Sequence, residues 1–89
     1  MTYQVELAHQ VEKLLDRMDR TTERPIRARM FQLWQDPFDP RLSSPLIERA
    51  GVRKSRAGDW RILFTVSRDV QTIYIATVGP GGQVCRRVR

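Results

Sequence analysis

Nine residues, Arg56-Ala-Gly-Asp-Trp-Arg-Ile-Leu-Phe64, set a guanidinium into a strand that is apolar at alternate positions. Side chains alternate across a strand, so Trp60, Ile62, Phe64 and Val66 share one face, and Arg61, Leu63, Thr65 and Ser67 share the other. An arginine so placed either ends in solvent or is held toward a ligand. Its surroundings favour the second reading: Arg49, Arg53, Lys54, Arg56 and Arg61 face only Glu48 and Asp59 over the same stretch. On a short hairpin these cations are expected to form one phosphate-binding patch, with the two acids neutralising their neighbours. The competing account is a charged edge that deters strand addition. Arg86, Arg87 and Arg89 form a second basic group, which would otherwise be a tail that is only electrostatically sticky.

Such cations suit phosphodiester chemistry. When an RNA 2′-hydroxyl attacks its own phosphate, charge builds on the phosphoryl oxygens, and a fixed Arg61 supplies the compensating charge without a metal. Arginine does not deprotonate in proteins, whereas a lysine crowded by Arg53 and Arg56, as Lys54 is, can have its pKa lowered enough to take part. Other catalytic constellations are absent. His9 is the single histidine and Cys85 the single cysteine, which by count excludes a Cys/His zinc site and an internal disulfide. No glycine-rich loop precedes a helix, and Gly79-Pro-Gly-Gly82 reads as a turn. The expectation is a cytoplasmic, metal-free and cofactor-free chain with no signal peptide and no membrane association.

The elements that must position these residues can be read from hydrophobic period. Eighty-nine residues make one domain, 1–89, and the net charge of +6, carried largely by arginine, points to nucleic acid or an acidic protein segment. Tyr3, Val5 and Leu7 alternate with Gln4 and Glu6, the pattern of a half-buried strand. From Ala8 to about Asp19, Val11, Leu14, Leu15 and Met18 form one helical stripe. A second helix is expected to begin at a Thr21 or Thr22 cap, with Pro25 in its first turn. It would bury Ile26, Met30, Leu33 and Trp34 and stop at Asp36-Pro37. Arg17, Arg20, Arg24 and Arg27 fall on its solvated side and that of its neighbour. A proline-rich connection, 36–45, leads to strands over 47–54, 59–67 and 72–78, joined by turns at Ala57-Gly58 and 68–71, with a short last strand over 84–87. The order gives an α+β fold: a small antiparallel sheet with an N-terminal strand and an antiparallel two-helix hairpin on one face. With Ile62 and Phe64 under the helices, Arg61 belongs to the uncovered face.

Residues 3–7, Val11-Glu-Lys-Leu-Leu15, Asp36-Pro37, 56–64 and Ile73-Tyr-Ile-Ala-Thr-Val-Gly79, in this order and spacing, resemble the RelE/ParE superfamily of toxins from type II toxin-antitoxin systems. The resemblance implies a toxin neutralised by a cognate antitoxin. Its expected action is as a ribosome-dependent mRNA endoribonuclease, with Arg61 and Lys54 catalytic and Arg49, Arg53, Arg56, Arg86 and Arg87 on the RNA. Operator DNA would be bound only as the toxin-antitoxin complex. Alternatives are a ParE-like inhibitor of DNA gyrase, or a degenerate toxin that keeps antitoxin and operator binding. Three positions depart from the family pattern: Val52 replaces an upstream lysine, Gly81 a second arginine, and Cys85 a terminal tyrosine.

Overall fold

Two helices cover one face of a five-stranded sheet in a computed structural model that describes residues 3–81. In chain order the elements are β1 (Gln4–Leu7), α1 (His9–Arg17), α2 (Arg20–Gln35), β2 (Ser43–Pro45), β3 (Val52–Ala57), β4 (Trp60–Ser67) and β5 (Thr72–Pro80). The sheet order is β1-β5-β4-β3-β2. Strands β2 to β5 pair antiparallel, whereas β1 runs parallel to β5, so the sheet is mixed. The expected last strand over 84–87 lies outside the described residues, as do Arg86 and Arg87.

The helices form for the reasons their sequence suggests, with one change of boundary. In α1, Glu12 in the first turn and Arg17 in the last suit the helix dipole, and Val11 and Leu15 turn inward. The Ala8 amide donates to the Ile75 carbonyl at 3.0 Å, which fixes the start of α1 against β5. Asp19, rather than Thr21 or Thr22, caps α2. Its carboxylate accepts from the Thr22 amide at 3.3 Å and from the Thr22 hydroxyl at 2.7 Å. Those bonds, the hydroxyl's foremost, hold the Asp19 carboxyl below its ordinary value. The earlier start moves Pro25 to the second turn. Ile26, Met30 and Leu33 are buried and Trp34 is half-buried, and Asp36 ends the helix ahead of Pro37.

Beneath the helices, Ile62, Phe64, Ile73, Ile75 and Val78 join Val11, Leu15, Ile26 and Leu33 in one core. Phe64 and Ile62 have no exposed surface at all, which fixes the side of the sheet on which each β4 residue lies. The inward residues of β5 are Ile73 and Ile75, then Val78. Between them Leu63 pairs with Thr77 and Phe64 with Ile75, so Ala76 is an extra residue in a β-bulge. The Ala76 carbonyl accepts from Gln10 Nε2 of α1 at 3.1 Å. A group that the sheet leaves unpaired is thus satisfied by a helix.

Three connections differ from the sequence reading. The β3–β4 hairpin turns at Gly58-Asp59, one residue later than expected, with Ala57 paired to Trp60. Gly58 has φ +64° and Asp59 has no positive φ, a type II′ arrangement that favours glycine first. Residues 46–51, expected to begin a strand at Ile47, instead form a turn closed by the Leu46 amide to the Val52 carbonyl at 2.8 Å. Gly51 makes that turn with φ +82°, and Ile47 is 93% exposed. The proline-rich connection also contains a strand, the edge strand β2, held by its pairing with β3.

Candidate functional site

Register decides which cations meet. On β3, Lys54 pairs with Leu63, and Arg56 pairs with Arg61 of β4. Arg61 in turn pairs with Gly79 of β5. Leu63 and Arg61 lie opposite in sense to the buried Ile62 and Phe64, so Lys54, Arg56 and Arg61 share the face away from the helices. No described element covers that face. Residues two apart on a strand are about 7 Å apart and directly paired residues about 5 Å, so the three cations occupy a patch the size of one phosphodiester and its flanks.

The patch is not neutralised from within. Among the described residues the ion pairs are Glu23–Arg27 and Asp39–Arg41, and neither touches it. Asp59 and Glu48, expected to offset neighbouring cations, form no ion pair there. Two arginines directly opposed across an antiparallel pair repel, a geometry that costs stability unless an anion lies between them. The floor beside them is bare. Gly81 is buried, its amide donates to the Asp59 carbonyl at 2.9 Å, and a Cβ on it would lie 3.7 Å from Arg61 Cβ and 4.0 Å from Arg56 Nε. The position where the resemblance would place a second arginine therefore adjoins the Arg56 guanidinium and the base of the Arg61 side chain.

Two of the expected RNA-binding residues are elsewhere. Arg53 pairs with Phe64 and so points to the helix side; Nε donates to Ser43 Oγ at 3.0 Å and NH2 to the Ser43 carbonyl at 3.3 Å. The single patch expected from nearness in sequence is thus divided, because neighbours on a strand face opposite ways. Arg49 lies in the exposed turn between β2 and β3, beyond the patch. Arg86 and Arg87 lie outside the described residues.

A residue that sequence reading passed over holds the patch in place. Arg29 of α2 donates through NH1 to the Arg56 carbonyl at 2.6 Å, to Ser55 Oγ at 3.0 Å and to the Leu42 carbonyl at 3.4 Å. Ser55, 2% exposed, donates its hydroxyl to the Leu42 carbonyl at 2.6 Å. This network ties the strand carrying Lys54 and Arg56 to a helix and to the approach to β2. The available signal was an arginine three residues after Ile26 and next to Met30, on the border of the buried stripe. Tyr74 also faces the open side, paired with Thr65, but four strand residues, about 13 Å, separate Thr65 from Arg61. Among the described residues no His, Cys, Asp and Glu side chains gather as a metal ion would need, and no helix is long and apolar enough to cross a membrane.

A small mixed sheet with two helices on one face is the arrangement met in toxins of type II toxin-antitoxin systems. The sequence profile of the ParE toxin of the type II parDE system matches residues 5–84, and the chain belongs to this family within the RelE/ParE superfamily. Its fold is similar to that in an archaeal RelE–RelB complex from Pyrococcus horikoshii, with 25% identity, TM-score 0.74, and coverage of 93% of this chain and 99% of that one. It is also similar to the RelBE2 toxin-antitoxin complex of Mycobacterium tuberculosis, at 22% identity, TM-score 0.76, and coverage of 90% and 99%. A variant of E. coli RelE bound to an antitoxin RelBc peptide matches at 14% identity, TM-score 0.75, and coverage of 100% and 97%. No curated protein matches the sequence.

Proposed function

We propose that this toxin is an mRNA endoribonuclease that acts at the ribosome and is restrained by a cognate antitoxin. The observation that carries the proposal is the opposed Arg56 and Arg61 beside Lys54 on a face that no described element covers. In the proposed reaction the 2′-oxygen of a message attacks the adjacent phosphorus and loses its proton to water, while the P–O5′ bond breaks. Arg61 donates to a non-bridging oxygen as its charge grows, and the Lys54 ammonium gives a proton to the departing 5′-oxygen. Arg56 holds the neighbouring phosphate. Products are a 2′,3′-cyclic phosphate and a 5′-hydroxyl. An antitoxin with an acidic segment would cover the same cations, and the solved toxin-antitoxin complexes of like fold support such a partner. Operator DNA would be contacted only by the assembled pair.

Induced expression followed by primer extension tests this reading. Arg61→Ala is expected to lower cleavage by ~10²- to 10³-fold, the usual loss on removing one transition-state donor, with an unchanged circular dichroism spectrum. Growth arrest with translated messages left uncut would sink it. A second reading, inhibition of DNA gyrase by contact, is favoured by the ParE toxin match and by the missing cation at Gly81. Loss of supercoiling activity at micromolar toxin is its signature. If induction of wild type and of Arg61→Ala leaves growth equally unaffected, the degenerate toxin is the remaining account.

A further inference from the structure

We propose a second oxyanion site on the opposite side of the sheet, built on Phe38 and taking the phosphates of a polynucleotide backbone. Two guanidinium groups share this one ring: the Arg68 carbon lies 4.5 Å from the ring centroid and the Arg53 carbon 5.1 Å. Each is about 5 Å from the same point, so the two charges sit within one Debye length, about 10 Å at 0.1 M salt. Asp69 lines the same cleft of about 600 Å³ but pairs with neither arginine.

The site is partly organised in advance. Ser43 accepts from Arg53 through Oγ and its carbonyl, and Ser43 Oγ donates to the Pro37 carbonyl at 2.7 Å. That chain fixes the plane of the Arg53 fork and leaves NH1 without a described partner. Arg68 makes no described hydrogen bond or ion pair, and its contact with the ring of Phe38 orients it without using its donors. Two forks with open donors and no paired acid suit an oxyanion that stays charged at every working pH. A polyanion gains further from counterion release. Continuity with the open face favours the same kind of ligand. Lys54 follows Arg53 directly and faces the other way, and among the described residues the only strand outside β3 is the three-residue β2. A strand of nucleic acid lying on Lys54 can turn around that short edge to reach Arg53 and Arg68.

The full chain is titrated by fluorescence anisotropy with a 2′-O-methylated RNA oligonucleotide, which cannot be cut, and with duplex DNA of equal phosphate number, over a range of salt. Arg68→Ala is expected to weaken binding several-fold and to reduce the salt slope by about 0.7 for the RNA or 0.9 for the duplex. The probe that responds identifies the source of the phosphate. Arg24→Ala, which removes the same charge from an exposed part of α2, is expected to do less than half as much. Phe38→Leu should weaken binding with both arginines retained, because it removes their shared support. An effect of Arg68→Ala no larger than that of Arg24→Ala with both probes overturns the site. The measurements are repeated in an Arg61→Ala background. Loss from Arg61→Ala alone refutes this inference and spares the open face, whereas loss from Arg68→Ala alone does the reverse.

Discussion

Replacing Arg56 by threonine should make this toxin more stable and less able to bind nucleic acid. Arg56 and Arg61 are directly paired across β3 and β4, with no acid ion-paired to either among the described residues. Allowing the guanidinium groups to splay to about 8 Å, two unit charges repel by roughly 0.5 kcal/mol in water and by about twice that at half its dielectric constant. Measured cross-strand pairs fall in the same range, about 0.2–1 kcal/mol. Threonine suits an exposed strand position and adds a few tenths of a kcal/mol. The Arg29 bond to residue 56 uses the backbone carbonyl and survives the change. The expected gain is therefore about 0.5–1 kcal/mol at low salt. For a domain of this size that raises Tm by roughly 2–8 °C. Urea titrations in 20 mM and 500 mM sodium chloride measure it, and screening should shrink the gain at the higher salt. A variant that is less stable than wild type at low salt, or a gain indifferent to salt, refutes the reasoning. A loss of polynucleotide affinity in the more stable protein would identify the arginine pair as stability given up for function.

Three other outcomes follow from the same geometry. The Asp19 carboxyl is held low by its bonds to Thr22, so its contribution is present above its unfolded pKa of about 4 and is lost as pH falls through the lower folded value. Asp19→Asn keeps an acceptor without the titration, so urea midpoints of variant and wild type should converge or cross between pH 5 and pH 2.5; parallel curves would remove Asp19 from the acid response. Arg29→Met strips donors from the Arg56 and Leu42 carbonyls and from Ser55, a loss of about 1–3 kcal/mol, and amide exchange should quicken first in β2 and β3. Protection there equal to wild type would mean that Arg29 does not hold those strands. Gly81→Arg fits sterically, since its Cβ meets nothing closer than 3.6 Å. If RNA cleavage is the activity, this variant should cut at least about ten-fold faster through one more transition-state donor, and an unchanged rate in a folded variant counts against that chemistry.

The helices and the central strands were legible because their apolar residues recur at helical or strand period, as Val11 and Leu15 do in α1 and Ile62 and Phe64 do in β4. Arg61 on the uncovered face followed from that alternation alone. The partners of Arg61 did not. They depend on the hairpin turning at Gly58-Asp59, and a one-residue change of turn reassigns every cross-strand neighbour. Proximity in sequence groups Arg53 with Lys54, whereas adjacent positions on β3 put the two on opposite faces. Strand β2 carries Ser-Ser-Pro, which has little intrinsic strand preference, and exists because β3 offers it a partner. The parallel direction of β1 was equally hidden, since it is set by how the two helices return the chain across the sheet. Ile47 misled for the opposite reason: a β-branched residue suggested a strand where Gly51 makes a turn.

The extra residue at Ala76 acts as a change of reading frame within β5. Upstream of it odd-numbered residues are core and even-numbered ones face out; downstream the assignment is inverted, so Val78 is buried and Gly79 stands opposite Arg61. The upstream half answers to the helices and the downstream half to the arginine patch. Deleting Ala76 would bring both halves into one frame without moving a partner: Thr77 would follow Ile75 opposite Leu63, Val78 would stay buried opposite Ile62, and Gly79 would stay opposite Arg61. The strand would lose the carbonyl that Gln10 of α1 holds and the added twist of the bulge. A deletion at this point should therefore be tolerated better than one nearer the start of β5, where it would turn the residues that follow to the other face.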